Sequence, residues 1–339
     1  MELIDLRSDT VTRPTKQMTE AMFSAKIGDD VFGEDETVNK LEETAATMFG
    51  MEAGIFCPSG TMTNQIAIKI HTQPGDEVIC DELSHVYQYE GGGIAFNSGS
   101  SVKLLQGNRG RINSLQLTDA VNADDVHKPV SSLVVLENTC NKGGGSCYEL
   151  SDIKLIHDFC LKHNLKLHLD GARLFNALVA KKQTAVSYGQ LFHSISICLS
   201  KGLGAPVGSV LLGTKEMIKR ARRVRKVFGG GMRQAGIIAA AGLFALEHHI
   251  ERLETDHIHA KKIEEALLSN PNVDSVLPVE TNIIIFNLKI GIDAGSFVLK
   301  MKEKGILCLA LGKQQIRFVT HLDVSKEMVE KICQQLKTV

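Results

Sequence analysis

The sequence predicts an α/β fold, with a large domain built on a mainly parallel layered sheet and a small α+β domain after it. Three observations predict it. Short apolar runs alternate with helical stretches from about residue 53 to residue 210. A long helical region then starts near Met232, runs towards Leu268 and is broken by Asn270-Pro271-Asn272. The remainder changes character, to short strands and two helices. The domains are set at 1–245 and 246–339.

The elements follow in order. The segment through about Gly33 is polar and rich in turn residues. Residues 37–49 carry apolar side chains at helical spacing, and Gly50 suits the end of that helix. Strands are expected at 54–57, 77–81, 132–137, 165–170 and 194–200, with a helix at 64–70. Such runs, apolar on both faces, are those of a buried parallel sheet. Ligands of such sheets bind beyond the carboxyl ends of the strands. In the small domain, strands are expected at 276–277, 283–288 and 316–320, and helices at 295–304 and 326–336. There is no internal repeat and no low-complexity tract.

Composition excludes several classes. The 339 residues carry 38 Lys+Arg against 39 Asp+Glu, so there is no basic excess to draw nucleic acid or an anionic membrane. No apolar run approaches the ~18 residues that span a bilayer. The start, Met1-Glu2-Leu3-Ile4-Asp5-Leu6-Arg7, lacks the apolar core of a signal peptide. The eight cysteines are scattered and form no CxxC pair, as expected of reduced, mostly buried thiols in the cytoplasm. The basic run at 219–226 reads as a solvated helix face or a subunit contact. His248, His249, His257 and His259 lack a ligand pair on one helical face, so no metal is expected there.

The chemistry begins at Lys201. The apolar run before it ends in that lysine, and Gly202, Gly204, Pro206 and Gly208 turn the chain out of the sheet. A lysine at such a strand end can lose its proton and attack an aldehyde. The expected strand 165–170 ends likewise in Asp170. A lysine and an acid at two core strand ends fit pyridoxal phosphate (PLP), which needs an amine for its aldehyde and a carboxylate facing its pyridine nitrogen. The alternative for Asp170 is a surface turn. Ser59-Gly60-Thr61 opens a helix and offers hydroxyls and free N–H groups, either as a plain cap or to a phosphate. His85, after the strand at 77–81, is either a loop histidine or a ring-stacking proton carrier. Arg173, three residues after Asp170, would lie near the ring and hold a substrate carboxylate. The turn at 228–234 could bring Arg233 or Lys226 to a phosphate.

Taken together, the chain resembles the threonine aldolase family. The matching segments are Ile4-Asp5-Leu6-Arg7-Ser8-Asp9-Thr10-Val11-Thr12, residues 28–35, Pro58-Ser59-Gly60-Thr61-Met62 and Leu136-Glu137-Asn138-Thr139. His168-Leu169-Asp170-Gly171-Ala172-Arg173, Leu199-Ser200-Lys201-Gly202-Leu203, residues 229–236 and Arg317-Phe318-Val319-Thr320-His321 complete the set, which spans nearly the whole chain. The resemblance implies the type I fold of PLP-dependent transferases, with a seven-stranded sheet in the large domain. It implies PLP as cofactor and retro-aldol cleavage of L-threonine, L-allo-threonine and related β-hydroxy-α-amino acids to glycine and an aldehyde. By the same resemblance Lys201 is the Schiff-base lysine, His85 stacks on the ring and Asp170 pairs with the pyridine nitrogen. Ser59, Gly60, Thr61 and Arg233 hold the phosphate, and Ser8, Arg173 and Arg317 the substrate carboxylate. Tyr89 and His127 line the substrate pocket, and His85 or His127 serves the β-hydroxyl. A homotetramer with active sites shared across a dimer contact is implied too.

Two departures stand out. The family often has tyrosine where Phe32 stands, and histidine where Cys140 follows Glu-Asn-Thr. Both are expected to change substrate preference or rate rather than abolish the reaction. The same scaffold can run transamination, racemisation or β-elimination.

Overall fold

The computed structural model describes residues 3–337. The strands are β1 (Ile4–Asp5), β2 (Ala53–Cys57), β3 (Glu77–Asp81), β4 (Ser101–Leu105), β5 (Ser131–Glu137), β6 (Lys166–Gly171), β7 (Ser194–Cys198), β8 (Ser209–Gly213), β9 (Val273–Val276), β10 (Ile283–Leu288), β11 (Ile306–Leu307), β12 (Leu309–Ala310) and β13 (Gln315–Val319). Seven form one sheet in the order β2-β8-β7-β6-β5-β3-β4. β4, β3, β5, β6 and β7 run parallel, while β8 lies antiparallel between β7 and β2. The mainly parallel, seven-stranded sheet is therefore present.

Its strands are apolar on both faces because helices cover both; β3, β7 and β8 are buried along their whole length. The helix Glu36–Phe49 shows how local sequence sets such a cover. The Asp35 carboxylate accepts the Val38 N–H at 2.9 Å to start it, and Gly50, at φ 63°, ends it. Its stripe of Val38, Leu41, Ala45 and Phe49 is buried in the core shared with Phe56 and Leu212. Register then places the carboxyl ends together: Glu137 lies opposite Asp170, and Asp170 opposite Ser196.

The other sheet, β12-β13-β10-β9, is antiparallel. The helices Ala294–Glu303 and Lys326–Leu336 bury Phe297, Met301, Val329 and Ile332 in a core of its own. β1 pairs with β11, and Ile4 and Leu6 share that second core. Leu253 belongs to the first core and Ala260 to the second. We propose that the two units change over inside the helix Leu253–Leu268, with β1 counted with the small one.

Three expectations change. The long helix from Met232 is two helices, Gly236–His248 and Leu253–Leu268. At the break, His249 Nδ1 meets the Leu203 carbonyl at 2.7 Å and Arg252 donates to the Gly202 carbonyl at 3.2 Å. The interruption thus braces the turn that carries Lys201. The basic run lies in the helix Lys215–Val227, but that helix is not simply a solvated face. Arg225 is buried, donating to Asp30 and to the Phe56 carbonyl at 2.6 Å each, and Arg222 pairs with Glu42. Edge strand β4 escapes a reading by apolar runs because none of its residues is buried and it includes Ser101 and Lys103. No helix among the described residues is long and apolar enough to cross a membrane.

Candidate active site

Ser59, Gly60, Thr61, His85, Asp170 and Lys201 line one cavity of about 200 Å³ at the carboxyl ends of β6 and β7. Lys201 follows β7 by three residues. Its carbonyl accepts the Gly204 N–H at 2.8 Å, and Gly204 takes φ 81°, where L side chains are strained. The tight turn aims the lysine back over the sheet edge. Ser59 caps the helix Gly60–His71, its hydroxyl accepting the Met62 N–H at 3.2 Å. The cap leaves the first N–H groups of that helix without helical partners, and Gly60 and Thr61 line the cavity.

Asp170 is buried, and the N–H groups around it fix both oxygens. Ala172 N–H donates to Oδ1 at 3.1 Å, and the Asn64 amide donates to Oδ2 at 2.9 Å. The same amide donates to Glu90 at 2.9 Å, and Glu90 accepts from His85 Nδ1 at 3.0 Å and Gln65 at 2.6 Å. His85 thus uses Nδ1 on Glu90, which leaves Nε2 for chemistry. Burial alone would lower the His85 pKa. The Glu90 bond, with the charges of Asp170, Glu90 and Glu137, outweighs it and holds the pKa above the usual 6.5. Glu137, buried at the end of β5, accepts the His85 and Asn141 N–H groups at 2.9 Å each. Burial, then repulsion from Asp170, pushes its pKa up to about 7. The sign for pH follows. If neutral His85 takes a proton, kcat/KM rises with pH through a midpoint above 6.5, and Glu90→Gln removes an acceptor and moves that midpoint down. A pH profile of both proteins checks this.

Arg173 makes a two-pronged ion pair with Asp9, at 2.8 and 2.6 Å, and both are buried. Burial would raise the Asp9 pKa, but Arg173 and then Lys201 lower it to about 2. Asp9 thus holds the Arg173 guanidinium in place. Arg317, on β13, donates to Asn141 Oδ1 and the Arg7 carbonyl at 2.9 Å each, while its buried Nε has no partner. Burial, and then the nearby Arg173 charge, lower its pKa despite Asp9. Ser8 caps a short turn, and its hydroxyl meets Thr10, which lines the cavity. Asp9→Ala leaves the Arg173 charge buried and unpaired, so a loss of ~3–5 kcal/mol of stability is expected. Denaturant melts of the variant measure it, and an unchanged midpoint is the contrary result.

Tyr89 lies against His85, ring centroids 5.6 Å apart, with the Lys142 ammonium 5.6 Å from the centre of the Tyr89 ring. Ser8, Tyr89, Arg173 and Arg317 are not among the residues lining the cavity, and His127 and Arg233 are held away from it within one chain. His127 is exposed and pairs with Asp125 in the loop before β5, at the amino end of that strand. Arg233 is exposed and pairs with Asp29 at 3.0 Å. Phe32 is exposed. Cys140 is buried against Gly110, where an added Cβ would sit 2.0 Å from its sulfur, and burial first, then Glu137, hold its thiol pKa well above the usual value. Asn64, Glu90, Glu137 and Asp9 were missed. Glu137 carries the signal that found Asp170, an acid closing an apolar strand, and Asn64 sits one helical turn beyond Gly60.

The donor set fits PLP. An amine, a fixed carboxylate, a helix amino end and an imidazole surround one cavity, and the orphaned Arg317 Nε points to an anionic substrate group. His85, Glu90 and Asp170 place ligand atoms within 4.8 Å of one another, the spacing of a metal site. The Asn64 amide donates into both carboxylates, which suits an N–H partner better than a cation.

Comparison with known proteins agrees. Residues 5–290 match a family described as beta-eliminating lyase. The chain is 41% identical over 338 residues to a probable low-specificity L-threonine aldolase 2 of Arabidopsis thaliana, covering 97% of this chain and 95% of the relative. It is 41% identical over 332 residues to a low specificity L-threonine aldolase of Escherichia coli strain K12, covering 97% of each. The fold superposes on a solved Leishmania major threonine aldolase with a TM-score of 0.85 over 98% of both chains, at 20% identity. The α/β fold of type I PLP-dependent transferases is thereby present, and the chain belongs to the threonine aldolases, within the beta-eliminating lyase family.

Proposed function

We propose that the protein is a PLP-dependent carbon–carbon lyase that cleaves L-threonine, L-allo-threonine and related β-hydroxy-α-amino acids to glycine and an aldehyde. The observation that carries the reading is the meeting of Lys201 and the fixed Asp170 carboxylate in one cavity with His85 and the helix start at Ser59-Gly60-Thr61. PLP, when bound, supplies the electron sink for the bond that breaks. Asp170 would hold its ring nitrogen, Ser59, Gly60 and Thr61 its phosphate, and Lys201 its aldehyde carbon.

The chain's own residues select the bond. Arg317 and Arg173, with Ser8, would grip the substrate carboxylate and fix rotation about Cα–N. Only a bond perpendicular to the conjugated plane breaks readily, so a fixed carboxylate decides that it is Cα–Cβ. His85, set by Glu90, would take the β-hydroxyl proton directly or through a water as Cα–Cβ breaks and the aldehyde forms. A proton then returns to Cα and glycine leaves. We further propose that His127 and Arg233 act in a neighbouring copy's site, in a homotetramer with shared sites and a cytoplasmic location. Both are exposed and off their own cavity, and Phe23, Phe32 and Phe96 leave apolar surface for a partner.

The test is incubation of PLP-loaded protein with L-threonine, L-allo-threonine and phenylserine, with the aldehyde quantified. Aldehyde from any of them supports the reading and ranks the substrates. A keto acid requirement or no aldehyde overturns it.

A further inference from the structure

Behind Asp170 a line of hydrogen bonds runs between the helix Gly60–His71 and the paired strands β6 and β7. Asn64 Oδ1 meets His168 Nε2 at 3.1 Å. His168 Nδ1 meets Ser194 Oγ at 2.8 Å. Ser194 Oγ meets His71 Nε2 at 2.9 Å. Asn64, His168 and Ser194 are buried. His71 lines a second cavity of about 540 Å³ on the far side, with His193, Lys166 and Arg220. Nothing in the chemistry described above uses His168, Ser194 or His71.

Donor and acceptor bookkeeping assigns every proton in this line. The Asn64 nitrogen faces two carboxylate oxygens, so it must be the NH2 end, and Oδ1 must face His168. An acceptor there requires His168 to carry its proton on Nε2. His168 is neutral at working pH, because burial lowers its pKa to about 4 despite Asp170. Its Nδ1 is therefore bare and accepts the Ser194 hydroxyl proton. The Ser194 oxygen in turn accepts from His71, which carries its proton on Nε2. The Ser194 carbonyl, at 3.2 Å from His168 Nδ1, is the group that would favour the opposite tautomer. That tautomer would set a bare Nε2 against Asn64 Oδ1, two acceptors in a dry interior.

We propose that His168 is a positioning residue of the active site. It holds the Asn64 side chain so that its one amide group orients both Asp170, towards the cofactor nitrogen, and Glu90, towards His85. Ser194 and His71 keep His168 in the tautomer this requires. The inference rests on the proposed function for its consequence but not for its geometry. Asn64 with its oxygen and nitrogen exchanged would point an acceptor at two carboxylates, and His168 forbids that exchange by donating only to an oxygen.

The experiment separates the two readings. Histidine nitrogen shifts of the 15N-labelled protein, read without and with PLP, give the tautomers directly. The expected result is one Nε2–H tautomer for His168, unchanged between pH 5.5 and 8.5, and a mixture of tautomers in Ser194→Ala. An Nδ1–H tautomer in the wild type overturns the proposal, whether or not PLP binds. The PLP dissociation constant by equilibrium dialysis gives the second readout. His168→Leu should raise it about tenfold, by removing one hydrogen bond that a buried carboxylate's partner needs, while His168→Gln, which restores a donor at the Nε2 position, stays within about twofold of wild type. Equal loss in both variants, with folded circular dichroism spectra, overturns the positioning role. Failure of wild type to bind PLP would sink the function and leave the tautomer result standing.

Discussion

Lys201→Ala is expected to lower kcat for aldehyde release by more than ~10³-fold, at least ~4 kcal/mol of barrier. Among the described residues lining the cavity, Lys201 is the side chain with an amine, so no neighbour there takes over its bond to an aldehyde carbon. The turn itself should survive. It is tied by backbone groups and by His249 and Arg252 through the Leu203 and Gly202 carbonyls, none of which needs the lysine side chain. The variant should therefore fold, keep its melting midpoint within a few degrees and lose the visible absorbance that PLP gains when bound to an amine of the protein. Single-turnover assays together with the absorbance spectrum check both parts. A variant that keeps the band and the rate would remove Lys201 from the chemistry.

Asp170→Asn ranks second. The substitution keeps the shape and removes the charge, and it also creates a conflict. Both Asp170 oxygens accept, one from Ala172 N–H and one from the Asn64 amide. An asparagine has one acceptor end, so its NH2 must face one of those donors. A hydrogen bond to a charged group is worth ~1.5–3 kcal/mol, so kcat/KM should fall by about 10- to 10²-fold and PLP affinity with it. Glu137 should respond as well, because its pKa is raised after burial by repulsion from Asp170. Removing that charge lets it ionise at lower pH. The sign matters for stability: a carboxyl with a raised folded pKa disfavours the native state above its normal titration range, so this strain eases in the variant at neutral pH. Kinetics and a pH-stability curve measure the two effects independently.

How much of this was legible in the sequence depends on chain separation. Lys201 and Asp170 could be read because one follows and the other ends an apolar run, and parallel strands bring their carboxyl ends to one edge. The helix start at Ser59-Gly60-Thr61 was legible too, and Ser59 caps that helix. What pairs those residues was not legible. Asp9 meets Arg173 across 164 positions, and Asn64 meets Asp170 across 106. No local spacing encodes such contacts; they arise when the first helix after β2 crosses the sheet and the amino-terminal turn folds under the small unit. The broken helix at 249–252 was hidden for a similar reason. Its residues are compatible with a continuous helix, and only the turn at 201–204 gives His249 and Arg252 their partners. His127 and Arg233 mark the other boundary, since the chain by itself holds both away from the cavity.

The central claim is cleavage between Cα and Cβ, and a product balance tests it most directly. PLP-loaded protein would be given L-threonine, and glycine, acetaldehyde, 2-oxobutanoate and ammonia would be measured together. Glycine and acetaldehyde in equal amounts, matching the threonine consumed and lost in Lys201→Ala, is the result expected. Formation of 2-oxobutanoate and ammonia in their place would mean that Cα–H and the β-hydroxyl leave instead, and would contradict the carboxylate grip and the proton role assigned to Arg317, Arg173 and His85.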